Sequence, residues 1–148
     1  MLKVKDIMTK EAITVGPDDE VWKAASLLLE NHINGAPVVD EEGRLLGILC
    51  QSDLVAQQRS FPLPSVFTLL DGLIPLRGYE KQQREVEKMS AITVAQAMTQ
   101  KPVTLSPEDT VEKAATIMVE KKLYTLPVVE EGRVVGVVGK EDVLRIML

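Results

Sequence analysis

The sequence contains itself twice, and this constrains its fold more than any other feature. A stretch beginning at Val4, "VKDIMTKEAITVGPDDEVWKAASLLLENHINGAPVVDEEGRLLGILCQSDLV", returns from Val94 as "VAQAMTQKPVTLSPEDTVEKAATIMVEKKLYTLPVVEEGRVVGVVGKEDVL". With one residue deleted near Glu42, about 19 of about 51 aligned positions are identical, far above a chance self-match. Two copies of so long a period do not make a solenoid. They predict two similar lobes facing each other across a pseudo-twofold axis. A copy of about fifty residues buries too little surface to stand alone, so the two are expected to stack their sheets and share one core.

Each copy carries the same local signals. "DIMT" and "QAMT" read as short helical turns, and "AITV" and "PVTL" as short strands rich in β-branched residues. In copy two Ser106 is placed to cap a helix, with Pro107 at its first position and Asp109 at its third; Gly16 replaces the serine in copy one. The helix that follows puts Val21, Ala24, Ala25 and Leu28 on one face, matched by Val111, Ala114, Ala115 and Met118. "GAPVVDEEGRLLGILC" and "TLPVVEEGRVVGVVG" each read as a hairpin around a Glu-Gly turn, and a last helix starts near Ser52 or Glu141. The fold class is therefore α/β (α+β), with two β-α-β-β-α repeats, sheets packed together, and a partly helical linker between them. The expected bounds are 1–55 for repeat 1, 56–92 for the linker and 93–148 for repeat 2. Within the linker, Phe61 to Leu76 is apolar and needs a surface to cover, and "YEKQQREVEKMSA" has the pattern of an amphipathic helix.

Composition narrows the function. A chain of 148 residues with 45% apolar and 26% charged residues is globular, and 3% aromatics make its core aliphatic. A net charge of −5 argues against nucleic acid and anionic membrane as partners. The apolar linker run is too short to span a bilayer and is broken by Pro62, Pro64, Asp71 and Pro75. "MLKVKDIMTK" has no apolar signal-peptide core, and one cysteine builds no disulfide framework, so a cytoplasmic location is expected. There is no Ser/His/Asp set, no metal-ligand spacing and no Walker-type loop, so no catalytic or metal residues are assigned and the chain is not expected to be an enzyme.

Paired repeats with "DIMT", "PVVD" and a Gly-apolar-apolar-x-x-x-Asp frame resemble CBS domains, named after cystathionine β-synthase; a tandem pair is often called a Bateman module. The resemblance covers nearly the whole chain outside residues 56 to 92. It implies regulation: such pairs commonly bind AMP, ADP, ATP or S-adenosylmethionine between their repeats, and many associate into disc-like dimers. It carries the ribose-binding aspartate of the frame to Asp53 and Asp142, where a carboxylate can accept two hydrogen bonds from a vicinal diol. It places Thr14 and Thr104 beside the ligand, and gives the base pocket to Asn34, Gly35, Ala36 and Pro37 in one copy and to Tyr124, Thr125, Leu126 and Pro127 in the other.

The chain departs from the pattern at the phosphate contacts. Cys50 and Gly139 stand where Ser or Thr often precedes the aspartate, and Gly35 and Thr125 where a basic residue often precedes the proline. Lys122, Lys140 and His32 lie near enough in sequence to compensate. Each of these residues also has a plainer reading. Cys50 is a small semi-buried residue replacing Thr at a strand end, His32 caps a helix C-terminus, and Asp53 and Asp142 complement helix N-termini. Trp22 and Leu29 form a second stripe on the first long helix, suited to the linker or to a partner subunit. The expectation is a ligand-sensing module with no obligatory cofactor, an adenosine-type regulatory ligand, a homodimeric state and a separate downstream protein partner. Its rival is a structural homodimer that has lost its ligand.

Overall fold

The computed structural model describes residues 1–60 and 92–148. Most of the expected linker, with its apolar run and amphipathic segment, lies outside the described residues. In chain order the elements are α1 (Val4–Ile7), α2 (Val21–Glu30), β1 (Gly35–Val39), β2 (Leu45–Cys50) and α3 (Gln51–Ser60), then α4 (Val94–Ala97), β3 (Thr99–Gln100), α5 (Val111–Lys121), β4 (Thr125–Glu130), β5 (Arg133–Gly139) and α6 (Lys140–Arg145).

Both hairpins form as the turn chemistry requires. β1 pairs antiparallel with β2 and β4 with β5, and each pair carries a register shift next to its turn. Gly43 and Gly132 take φ of 80°, a conformation costly for any residue with a Cβ. The two turns also hold each other: Leu45 N–H donates to the Gly132 carbonyl and Val134 N–H to the Gly43 carbonyl, both at 3.1 Å.

The opening segment of each copy packs on the other copy. Val4 and Lys5 donate their N–H groups to the carbonyls of Asp109 and Pro107, and Val94 and Ala95 do the same to Asp19 and Pro17. β3, from the start of copy two, adds an edge to β2 of copy one; Thr9 makes the matching bridge to Val137 of β5. Gly47 and Gly136 permit this close passage, since a Cβ at either would stand 2.7 Å from the sulfur of Met98 or Met8.

The exchange divides the core in two, where one shared core was expected. Ile92, at the end of the linker, and Val94 and Ala97 of copy two complete a cluster with Val15, Val21, Ala24, Val38 and Leu49. Val4 of copy one completes the other with Leu105, Ala114, Met118, Leu126, Val128 and Val138. Neither repeat closes its own apolar face, so each depends on the other for burial.

Two local expectations are corrected. "AITV" and "PVTL" are not strands; each makes a single parallel bridge, Val15 to Val38 and Leu105 to Val128. Ser106 does not cap a helix. Residues 107 to 109 form a turn in which Asp109 accepts from Ser106 N–H at 2.8 Å, and α5 starts after Thr110, whose hydroxyl accepts from Lys113 N–H at 3.1 Å. Asp109 and Thr110 are adjacent cap formers, and the swapped opening segment docks on the turn between them and Pro107.

Candidate functional site

Two clefts lie between the copies, related by the pseudo-twofold axis, and each takes residues from both. Cleft A, of about 320 Å³, is walled by residues 11–13 and 31–35 of copy one and by Val137, Gly139, Glu141, Asp142 and Arg145 of copy two. Cleft B, of about 560 Å³, is walled by residues 101–103 and 122–125 of copy two and by Ile48, Cys50, Gln51, Ser52, Asp53 and Val55 of copy one. Asn34 and Thr125 touch both, near the axis. Both volumes fall in the range of small-molecule pockets, about 300–1,000 Å³.

The frame aspartates sit at the starts of α3 and α6. Asp53 Oδ2 accepts from Cys50 N–H at 2.8 Å, and Asp142 Oδ2 from Gly139 N–H at 2.8 Å. Each carboxylate thus satisfies a backbone donor that the helix N-terminus leaves unpaired. Their second oxygens differ. Asp53 Oδ1 accepts from the Thr99 hydroxyl at 2.8 Å, and Asp142 Oδ1 receives Arg145 at 3.1 Å. Each oxygen keeps acceptor capacity, and each aspartate lines its cleft.

Among the residues singled out from sequence, Asn34, Gly35, Thr125, Gly139 and Asp142 line cleft A, and Asn34, Cys50, Asp53, Lys122, Tyr124 and Thr125 line cleft B. Ala36, Pro37, Leu126 and Pro127 line neither; they are buried beneath the clefts on β1 and β4. Thr14 is on a separate hollow with Asp18, Asp19 and Lys23, and Thr104 is exposed outside both clefts. Extended chain alternates its side chains, and Ile13 and Val103 take the cleft side instead. Lys140 also lines neither cleft; its ammonium stands 5.5 Å from the centroid of the Tyr124 ring. His32 and Lys122 hold equivalent left-handed positions after α2 and α5, at φ 53°, and line clefts A and B respectively.

Glu11, Lys101, Ser52, Glu141 and Arg145 line the clefts without having been singled out as ligand residues. The alignment of the copies held the signal: position 11 is glutamate where position 101 is lysine, and 52 is serine where 141 is glutamate. Cys50 is not an activated nucleophile. Burial first, and the Asp53 charge second, push its thiol up to about 11. Among the described residues no cluster of three or more His, Cys, Asp or Glu has metal-holding geometry, and no helix is long and apolar enough to cross a membrane.

The CBS domain profile matches residues 4–59 and 94–148. The uncharacterized protein MJ1426 of Methanocaldococcus jannaschii is 31% identical over 158 residues, spanning 100% of this chain and 92% of that one. The crystal structure of CBSX2 from Arabidopsis thaliana in complex with AMP superposes with a TM-score of 0.74 at 26% identity, covering 99% of this chain and 96% of that one. The CBS domain pair of protein MJ0100, in complex with 5′-methylthioadenosine and S-adenosyl-L-methionine, gives a TM-score of 0.73 at 26% identity over 99% of this chain and 100% of that one. The matched repeats, their mutual exchange of opening segments and the paired clefts make one case: this chain belongs to the CBS domain family, as a tandem pair.

Proposed function

We propose that the chain is a regulatory, non-catalytic module that binds an adenosine-containing ligand, AMP, ADP, ATP or an S-adenosylmethionine-type compound, in the clefts between its repeats. The observation that carries this reading is the placement of Asp53 and Asp142, each at a helix start of one copy and facing residues of the other across a ligand-sized cleft. The AMP and S-adenosyl-L-methionine complexes of the related pairs support it. A ribose diol would donate to the remaining lone pairs of the carboxylate. A ligand that touches both copies favours the mutual angle at which it binds best, and shifts the population by that difference in affinity. The readout would pass to a downstream protein in the cytoplasm, through a homodimer. Trp22 and Leu29, exposed on α2, support a second copy as partner.

Calorimetric titration of ligand-free protein with AMP, ADP, ATP, adenosine, 5′-methylthioadenosine and S-adenosylmethionine tests the reading. Saturable micromolar binding of one or more is expected, and silence across the panel in folded protein overturns it.

A second reading, a structural homodimer without ligand, is favoured by one observation: both oxygens of Asp53 and both of Asp142 already have protein donors. It predicts that silence, together with a melting temperature that rises with protein concentration.

A further inference from the structure

The two clefts share a fold and differ in charge. Among the described residues, cleft A carries three carboxylates, Glu11, Glu141 and Asp142, against the one guanidinium of Arg145. Cleft B carries the single carboxylate of Asp53 against the ammonium groups of Lys101 and Lys122. The difference falls on equivalent positions of the repeat: glutamate 11 against lysine 101, histidine 32 against lysine 122, glutamate 141 against serine 52.

The state of these charges strengthens the contrast. Arg145, the cation of cleft A, is held by Asp142 at 3.1 Å. The Glu141 carboxylate leans over Gly139, 3.3 Å from where a Cβ there would stand, so an anion occupies the space a hydroxyl-bearing side chain would fill. In cleft B neither lysine enters an ion pair among the described residues. Charge-assisted bonds to phosphate are the strong ones, and a carboxylate at the same place opposes phosphate through both repulsion and desolvation.

We infer that the clefts divide ligands by charge: cleft B takes an adenosine compound carrying a 5′-phosphate, held by Lys101 and Lys122, and cleft A takes one without phosphate and without net negative charge, a neutral thioether or a sulfonium. The inference rests on the adenosine reading of both clefts and adds to it which chemical class each one selects. The pair then senses two signals on one scaffold, and the shared residues Asn34 and Thr125 bring the two sites into contact.

The test is calorimetry with AMP and with 5′-methylthioadenosine on three proteins: wild type, K101E/K122E and E11K/E141S. Wild type is expected to bind one AMP per chain, with affinity that falls as salt rises, and to bind 5′-methylthioadenosine with little salt dependence. K101E/K122E is expected to lose at least tenfold in AMP affinity and keep 5′-methylthioadenosine. E11K/E141S is expected to gain a second AMP site. Two equal AMP sites in wild type, or AMP affinity unchanged in K101E/K122E, overturns the division by charge while leaving adenosine binding standing. Silence of 5′-methylthioadenosine alongside AMP binding overturns the assignment of cleft A. Silence of both in folded wild type overturns the adenosine reading itself.

Discussion

The hydroxyl of Thr99 donates to Asp53 Oδ1 at 2.8 Å, so a residue from the start of copy two steadies the carboxylate of copy one. The other oxygen of Asp53 caps α3 through Cys50 N–H. The aspartate proposed to bind ribose is therefore also a structural residue, and its removal has two effects. Asp53→Ala is expected to cost about 0.5–2 kcal/mol through the lost cap, together with any ligand binding in cleft B. Asp53→Asn keeps an acceptor oxygen for Cys50 N–H, so it should hold stability within a few tenths of a kcal/mol while weakening a ribose contact. Urea unfolding and titration of both variants separate the two roles. Equal ligand affinity in wild type and Asp53→Asn would sink the ribose assignment.

Gly47 serves the exchange of opening segments. A Cβ there would stand 2.7 Å from Met98 Sδ and equally close to the Thr99 carbonyl oxygen. Backbone cannot give way as a side-chain tip can, so Gly47→Ala is expected to lose about 1–3 kcal/mol by overpacking. The neighbouring Leu46 is partly exposed, and Leu46→Ala should cost less. Comparing urea midpoints of the two variants checks this, and a smaller loss for Gly47→Ala would contradict the close passage of β3 across β2.

These two sites also mark how far the fold could be read before the structure. The repeat, the hairpins with their Glu-Gly turns and the inward faces of α2 and α5 were legible, because periodicity and turn chemistry are local. The exchange was not. Val4 and Val94 are identical in type and setting, so either could complete either core, and no local signal tells them apart. The same ambiguity hid the clefts. The frame pointed to Asp53 and Asp142, but which opening segment each would face depended on the exchange, and so Lys101 and Glu11 were missed. Burial set the remaining limit: Pro37 and Pro127 shape β1 and β4 from beneath without touching the space above them.

Glu108 ties the N-terminus to copy two, with Lys3 Nζ at 2.6 Å and Lys5 Nζ at 2.9 Å. Hydrogen bonds from the two ammonium groups, and then their charge, hold its carboxyl down at about 2 against an ordinary 4.5. A lowered folded-state value contributes stability that is present above the unfolded value and lost as pH falls through the folded one. The advantage of wild type over Glu108→Gln should thus be complete above about pH 4.5, shrink below it and vanish near pH 2. The groups are exposed, so high salt should shrink it as well. Denaturation of both proteins along a pH series measures this, and a pH-independent difference would exclude the ion pairs as its source.

Cys50 is a free, half-buried cysteine on the wall of cleft B. Its thiol is raised to about 11, chiefly by burial and further by the Asp53 charge. Only the thiolate attacks an alkylating agent. At pH 7.5 a thiol at 11 is ionised to about three parts in ten thousand, and one at the ordinary 8.5 to about one part in ten. Native protein should therefore react with iodoacetamide at least about a hundredfold more slowly than protein unfolded in urea at the same pH. Asp53→Asn removes the nearby charge and should speed the native reaction, without restoring the unfolded rate, because burial is the larger cause. Equal rates for native and unfolded protein would show an accessible, ionised thiol and reopen a redox role. A slow native rate leaves Cys50 as a packed side chain on the wall of cleft B, where its copy-two counterpart, Gly139, has no sulfur to use.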